Sequence, residues 1–104
     1  IMYLIYFVQV EKTPEERECF ECDECGRSIG KQENFYIRVY DEGRRTYLED
    51  LICRHCKERY YPEYPSYTLK EMLKKDRAVA NTICYLLKME PEIEVEEKRK
   101  RKLT

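Results

Sequence analysis

The run Met2–Val10 is almost unbrokenly apolar, β-branched or aromatic. It reads as a strand that is apolar on both faces. A strand of that kind belongs in the middle of a sheet or beneath a partner chain, because a free edge would invite aggregation. A second pattern begins at Phe35. Alternation places Phe35, Ile37 and Val39 on one face of a strand over 35–40, with Tyr36, Arg38 and Tyr40 on the other. The first set predicts core. The second, an arginine between two tyrosines, predicts an exposed recognition face. Residues 45–48 give a third strand signal, and Asp41, Glu42, Gly43 and Arg44 form the turn of a hairpin, with Gly43 free to take positive φ.

Two helices follow from the remaining pattern. Asp50 is a candidate N-cap for a short helix running through Cys53 and Cys56, ended by Pro62 and Pro65. Ser66 or Thr68 is placed to cap a long amphipathic helix over 69–89. Its stripe is Leu69, Met72, Leu73, Val79, Ala80, Ile83 and Leu86 or Leu87, and Pro91 closes it. The pattern therefore predicts a small α+β domain over 1–90: an N-terminal strand, a β-hairpin, a knuckle and one long C-terminal helix. Residues 91–104 form a charged tail expected to be disordered.

Composition narrows the class. With 104 residues, 39% charged and 42% hydrophobic, the chain suits one small globular domain. Its amides are few (Gln9, Gln32, Asn34 and Asn81) against abundant Lys, Arg and Glu, a bias that resembles thermophile usage. The net charge of −1 argues against a general nucleic-acid coat, but the charge is uneven. Residues 11–25 hold seven acids and two bases, residues 26–60 hold eight bases and six acids, and the tail carries the basic run Lys98–Lys102. The ten residues Ile1–Val10 lack a basic leader and are too short to span a bilayer, so a cytoplasmic protein without a membrane anchor is expected.

The chemistry sits in the cysteines. Cys22 and Cys25 form one Cys-x-x-Cys pair, followed by Gly26; Cys53 and Cys56 form another after an interval of 27 residues. Two such pairs suit a tetrahedral structural zinc ion, and the pairing fits metal better than a disulfide framework. A closed four-sulfur site keeps no open position for catalysis. Cys19 and Cys22 form an overlapping alternative pair; the glycine after Cys25 favours Cys22 and Cys25. His55, between the second-pair ligands, should point away from a metal, and Cys84 reads as a small core residue.

Knuckle, hairpin, then a helix bearing the second cysteine pair: this order, over about 20–61, resembles the treble-clef zinc finger. The resemblance implies one structural Zn2+ on Cys22, Cys25, Cys53 and Cys56. It leaves function open, since treble clefs serve ribosomal proteins, adaptors, transcription factors and nucleases. Residues 51–56 also look like the zinc-binding half of HNH-type nucleases, but a chain with one histidine lacks the two that such a nuclease needs. The expectation is a non-enzymatic zinc adaptor with no small-molecule substrate. It would bind nucleic acid, or a ribonucleoprotein or transcription assembly, through Arg38, Arg44, Arg45, Arg54, Lys57 and Arg59, beside Tyr60 and Tyr61. The alternatives are a protein–protein module or dimeric regulator, paired through the N-terminal strand or the long helix, and a degenerate HNH-like relative.

Overall fold

The computed structural model describes residues 4–11 and 18–89. Among these residues six strands and three helices follow one another: β1 (Leu4–Val10), β2 (Phe20–Glu21), β3 (Ser28–Ile29), β4 (Phe35–Asp41), β5 (Thr46–Cys53), α1 (Arg54–Tyr60), β6 (Ser66–Thr68), α2 (Leu69–Lys75) and α3 (Arg77–Leu86). The main sheet has the order β5-β4-β1-β6, and β2 and β3 form a separate two-stranded ribbon. β1 pairs antiparallel with β4, with Val8 opposite Ile37, and parallel with β6, with Phe7 opposite Ser66. The 91–104 tail, with its basic run, lies outside the described residues. Among the described residues no helix is long and apolar enough to cross a membrane.

The two-sided apolarity of β1 has a direct cause. Cross-strand partners share a face, so Tyr6, Val8 and Val10 stand with Val39, Ile37 and Phe35, and these with Leu48, Leu51 and Cys53 of β5. Buried Met72, Val79, Ala80 and Ile83 of α2 and α3 join the core cluster built on this face. On the other face, Phe7 is wholly buried beneath Tyr61 and Tyr64, with ring centroids 5.3 and 6.1 Å away, and beside Lys57. The central strand is thus covered twice by its own chain.

The structure corrects the long helix. Asp76 divides it: its backbone N–H donates to the Met72 carbonyl at 2.8 Å, ending α2, while its carboxylate accepts from the Val79 N–H at 3.4 Å, starting α3. A continuous helix would place Asp76 and Arg77 on the apolar stripe after Leu73; breaking it there returns Val79, Ala80 and Ile83 to the core without burying a charge. Thr68, rather than Ser66, starts α2 through a reciprocal capping box with Glu71. The end also shifts. α3 closes at Leu86, before Pro91, in a Schellman motif: Met89 donates to the Cys84 carbonyl at 2.8 Å and Lys88 to that of Tyr85 at 3.2 Å. Lys88 occupies the left-handed position, at φ 56°, that glycine usually fills.

The hairpin turn behaves as its residues require. Gly43 takes φ 88° and donates to the Asp41 carboxylate at 2.8 Å, and Glu42 donates to the Arg45 carbonyl at 2.9 Å. β5 is longer than its 45–48 signal and carries a bulge at Glu49, where the register with β4 shifts.

Burial of Tyr6, with the negative charges of Asp76 and Asp41 nearby, pushes its phenol from 10 up to about 12. Above pH 10 the unfolded chain ionises this group while the folded chain keeps the proton. Tyr6 therefore contributes stability that is full below pH 10 and is lost as the pH rises toward about 12. Denaturant melts across that range should show the Tyr6→Phe variant losing less stability than the parent. Equal losses would show that Tyr6 does not report the alkaline transition.

Candidate metal centre

The first knuckle begins at the end of β2. Cys22 donates its backbone N–H to the Arg27 carbonyl at 2.8 Å, and Gly26 donates to the Cys22 carbonyl, also at 2.8 Å. Closing so tight a loop needs φ 76° at Gly26, and a Cβ there would meet no atom within 4 Å; the demand for glycine is purely torsional. The second pair straddles a strand–helix junction. Cys53 is the last residue of β5, and Cys56 lies in the first turn of α1.

Here the structure corrects the expected cap. Asp50 stays within β5, where its carboxylate binds the Arg38 guanidinium. The N-cap of α1 is Cys53 itself, whose Sγ accepts from the Cys56 N–H at 3.5 Å. One side chain thus caps the helix and faces the other sulfurs.

The four sulfurs of Cys22, Cys25, Cys53 and Cys56 all lie within 4.8 Å of one another. Cys25 and Cys53 have Sγ atoms 3.9 Å apart. A tetrahedron with Zn–S bonds of about 2.3 Å has sulfur–sulfur edges of about 3.8 Å, whereas a disulfide requires about 2.05 Å. The site therefore fits one four-coordinate metal ion, and all six described cysteines are free thiols. Cys19 is exposed and Cys84 is buried in α3; neither joins the cluster.

The local electrostatics favour a cation. Burial alone would raise the Cys22 thiol, but backbone N–H groups of Cys53, Cys25 and Glu24 outweigh it and bring the thiol down to about 7. The Cys53 N–H donates to the Cys22 Sγ at 3.2 Å. Burial pushes the Cys56 thiol up, and the sulfurs of Cys25, Cys53 and Cys22 add to the effect. Four sulfurs this close cannot all ionise without a positive charge among them, and a soft divalent ion supplies it.

Outer contacts lock the knuckle to the sheet. Asp23 donates its N–H to the Leu51 carbonyl at 2.8 Å and accepts from the Leu51 N–H at 2.7 Å on its carboxylate. Glu24 accepts from the Tyr61 hydroxyl at 2.9 Å; that hydroxyl in turn accepts from Arg38 at 3.0 Å, and Arg38 holds Asp50. Asp23 and Glu24 escape sequence reasoning as site residues, and Tyr61, expected beside the contact arginines, instead ties Glu24 to Arg38. The position of the two acids between the ligand cysteines was the available signal.

The candidate contact residues divide into two groups. Arg44 and Arg45 are exposed at the hairpin turn, and Arg59 is exposed with its guanidinium 5.4 Å from the Tyr60 ring centre. Arg54 is exposed and paired with Glu58 at 3.0 Å. Arg38 instead lies half-buried in its network, as do Tyr36 and Tyr40, so the expected open Tyr-Arg-Tyr face is a covered one. Lys57 is only 6% exposed and donates to the carbonyls of Tyr61 and Tyr64. It is turned inward because α1 packs its inner side on Phe7 and Tyr36, and the ammonium finds both aromatic faces there, 5.2 and 5.8 Å away. His55 is exposed and lines a polar depression with Arg27, Glu33, Asn34 and Glu58, outside the sulfur cluster.

Comparison with protein-family models, curated proteins and solved structures yields no match for this chain.

Proposed function

We propose that this chain is a non-enzymatic protein built around one structural zinc ion, acting as an adaptor on nucleic acid or on a nucleoprotein assembly. The observation that carries the reading is the closed cluster: all four corners of the site are taken by Cys22, Cys25, Cys53 and Cys56. No corner is left for a substrate or a reactive water, so zinc here supplies folding energy and fixes the loops around it. The order of knuckle, hairpin and helix bearing the second cysteine pair supports a treble-clef-like unit. The nucleic-acid part of the reading draws support from Arg44, Arg45, Arg54 and Arg59, all on the surface, and from Tyr60, half-exposed beneath the Arg59 guanidinium. Guanidinium forks suit phosphates, and an open aromatic face suits an unstacked base.

The test is fluorescence anisotropy of the zinc-loaded full chain against labelled single-stranded RNA, single-stranded DNA and duplexes over a range of salt. Binding should weaken with salt, and each arginine that meets a phosphate should lower the salt slope by about 1 when changed to alanine. An Arg44→Ala, Arg45→Ala, Arg59→Ala variant should then bind weakly at every salt concentration. No binding to any of these ligands at low salt would overturn the nucleic-acid reading. It would favour the protein–protein alternative, which draws support from Leu4, Tyr85 and Leu86, apolar side chains left 60–82% exposed.

A further inference from the structure

The four candidate ligands are unequal in one respect. Cys22, Cys53 and Cys56 are 2%, 0% and 1% exposed, while Cys25 is exposed. Cys25 sits next to Gly26, on the outer turn of the knuckle. Its sulfur is 3.9 Å from that of Cys53, close enough for a small movement to bring the two into bonding distance. Cys25 is therefore the one residue of the cluster open to a soluble oxidant, with the sulfur of the buried Cys53 3.9 Å from its own.

We propose that Cys25 is an oxidative modification site, read by hydroperoxides and resolved by Cys53. The inference rests on the metal-site reading above. In the first step the Cys25 thiolate attacks a peroxide oxygen. An S–O bond forms, the O–O bond breaks, and two electrons pass from sulfur to the departing hydroxide, leaving a sulfenic acid. In the second step the Cys53 thiolate attacks the Cys25 sulfur. The S–S bond forms, the S–O bond breaks, and a second hydroxide leaves; two protons from solvent convert the hydroxides to water. One peroxide is reduced and one dithiol oxidised.

The consequence follows from what Cys53 otherwise does. Its sulfur caps α1 by accepting from the Cys56 N–H. Drawn into a disulfide it leaves that position, and only Cys22 and Cys56 remain as thiolates, too few to hold a tetrahedral ion. Oxidation thus discharges the metal and uncaps α1 in one event, and a thiol reductant reverses both. Cys19, also exposed, lies outside the cluster and has no part in this step.

The experiment uses the full chain, its zinc content measured first, together with a Cys19→Ser variant. Each is titrated with hydrogen peroxide while a metallochromic dye reads released zinc. Free thiols are then alkylated and the peptides mapped by mass. The expected result is about one zinc released per peroxide consumed, a Cys25–Cys53 cross-link, the same behaviour in Cys19→Ser, and recovery with reductant and zinc. Zinc retained while peroxide is consumed, or a first cross-link that omits Cys25, overturns this inference and leaves the metal reading standing. A chain that binds no zinc at all overturns both.

Discussion

Replacing Cys53 with serine unfolds the segment from β2 through α1, with loss of the cooperative melt. Two contributions disappear together at this one position, although a serine hydroxyl is able to keep the cap on α1. The metal loses a ligand, and the sulfur that meets Cys25 is replaced by a shorter, harder oxygen. Structural zinc contributes roughly 10–16 kcal/mol of apparent binding energy in small zinc-finger peptides, which is comparable to or larger than the entire 5–15 kcal/mol that holds an ordinary domain together. A small core of this kind has no reserve against such a loss. Chelator added to the parent protein should give the same endpoint. Circular dichroism and thermal melts check both. A Cys53→Ser protein with unchanged spectrum and melting temperature would show that the cluster is not a structural metal site.

Lys57→Met is the second change expected to act strongly, although it removes only one charge and keeps most of the side chain's bulk. The Lys57 ammonium donates to the Tyr61 carbonyl at 2.8 Å and the Tyr64 carbonyl at 3.3 Å, and it lies over Phe7 and Tyr36. Burial holds its pKa below the usual lysine value, which states the desolvation cost; the carbonyls and ring faces offset it. Without the ammonium, two partly buried carbonyls lose a charged donor, and the loop that covers Phe7 loses its tie to α1. The expected cost is about 3 kcal/mol, from two charge-assisted hydrogen bonds left unmade. Urea denaturation of Lys57→Met beside an exposed control, Arg59→Met, measures it. Equal stabilities for the two variants would contradict an internal role for Lys57.

That result bears on what could be read from residues alone. The cysteine pairs, Gly26, the hairpin and the core strand were legible because each rests on a local rule of spacing, torsion or alternation. Lys57 was not. In the sequence it stands among Arg54, Glu58 and Arg59 and looks like one more solvated helix charge; only the pairing of β1 with β4 brings Phe7 and Tyr36 beneath it. Arg38 was misread for the same reason. Its partners Asp50, Tyr61 and Glu24 are 12, 23 and 14 residues away along the chain, and pattern reasoning places none of them. The division of the C-terminal helix was nearer to hand. The stripe passes from Leu73 to Val79 with only charged residues and Ala78 between them, and Asp76 has the chemistry of a cap. Periodicity weighed the apolar positions and passed over the interval between them.

The clamp between Asp23 and Leu51 has a consequence beyond holding the knuckle. Among the described residues β5 is an outer strand of the main sheet, paired on one side only. By taking both the N–H and the C=O of Leu51, Asp23 occupies the backbone groups to which an additional strand would attach. The bulge at Glu49 disrupts the same margin a short way along. The knuckle therefore serves as a stopper on a growing sheet: where it is seated, the Leu51 margin is already filled and offers the next copy nothing to pair with.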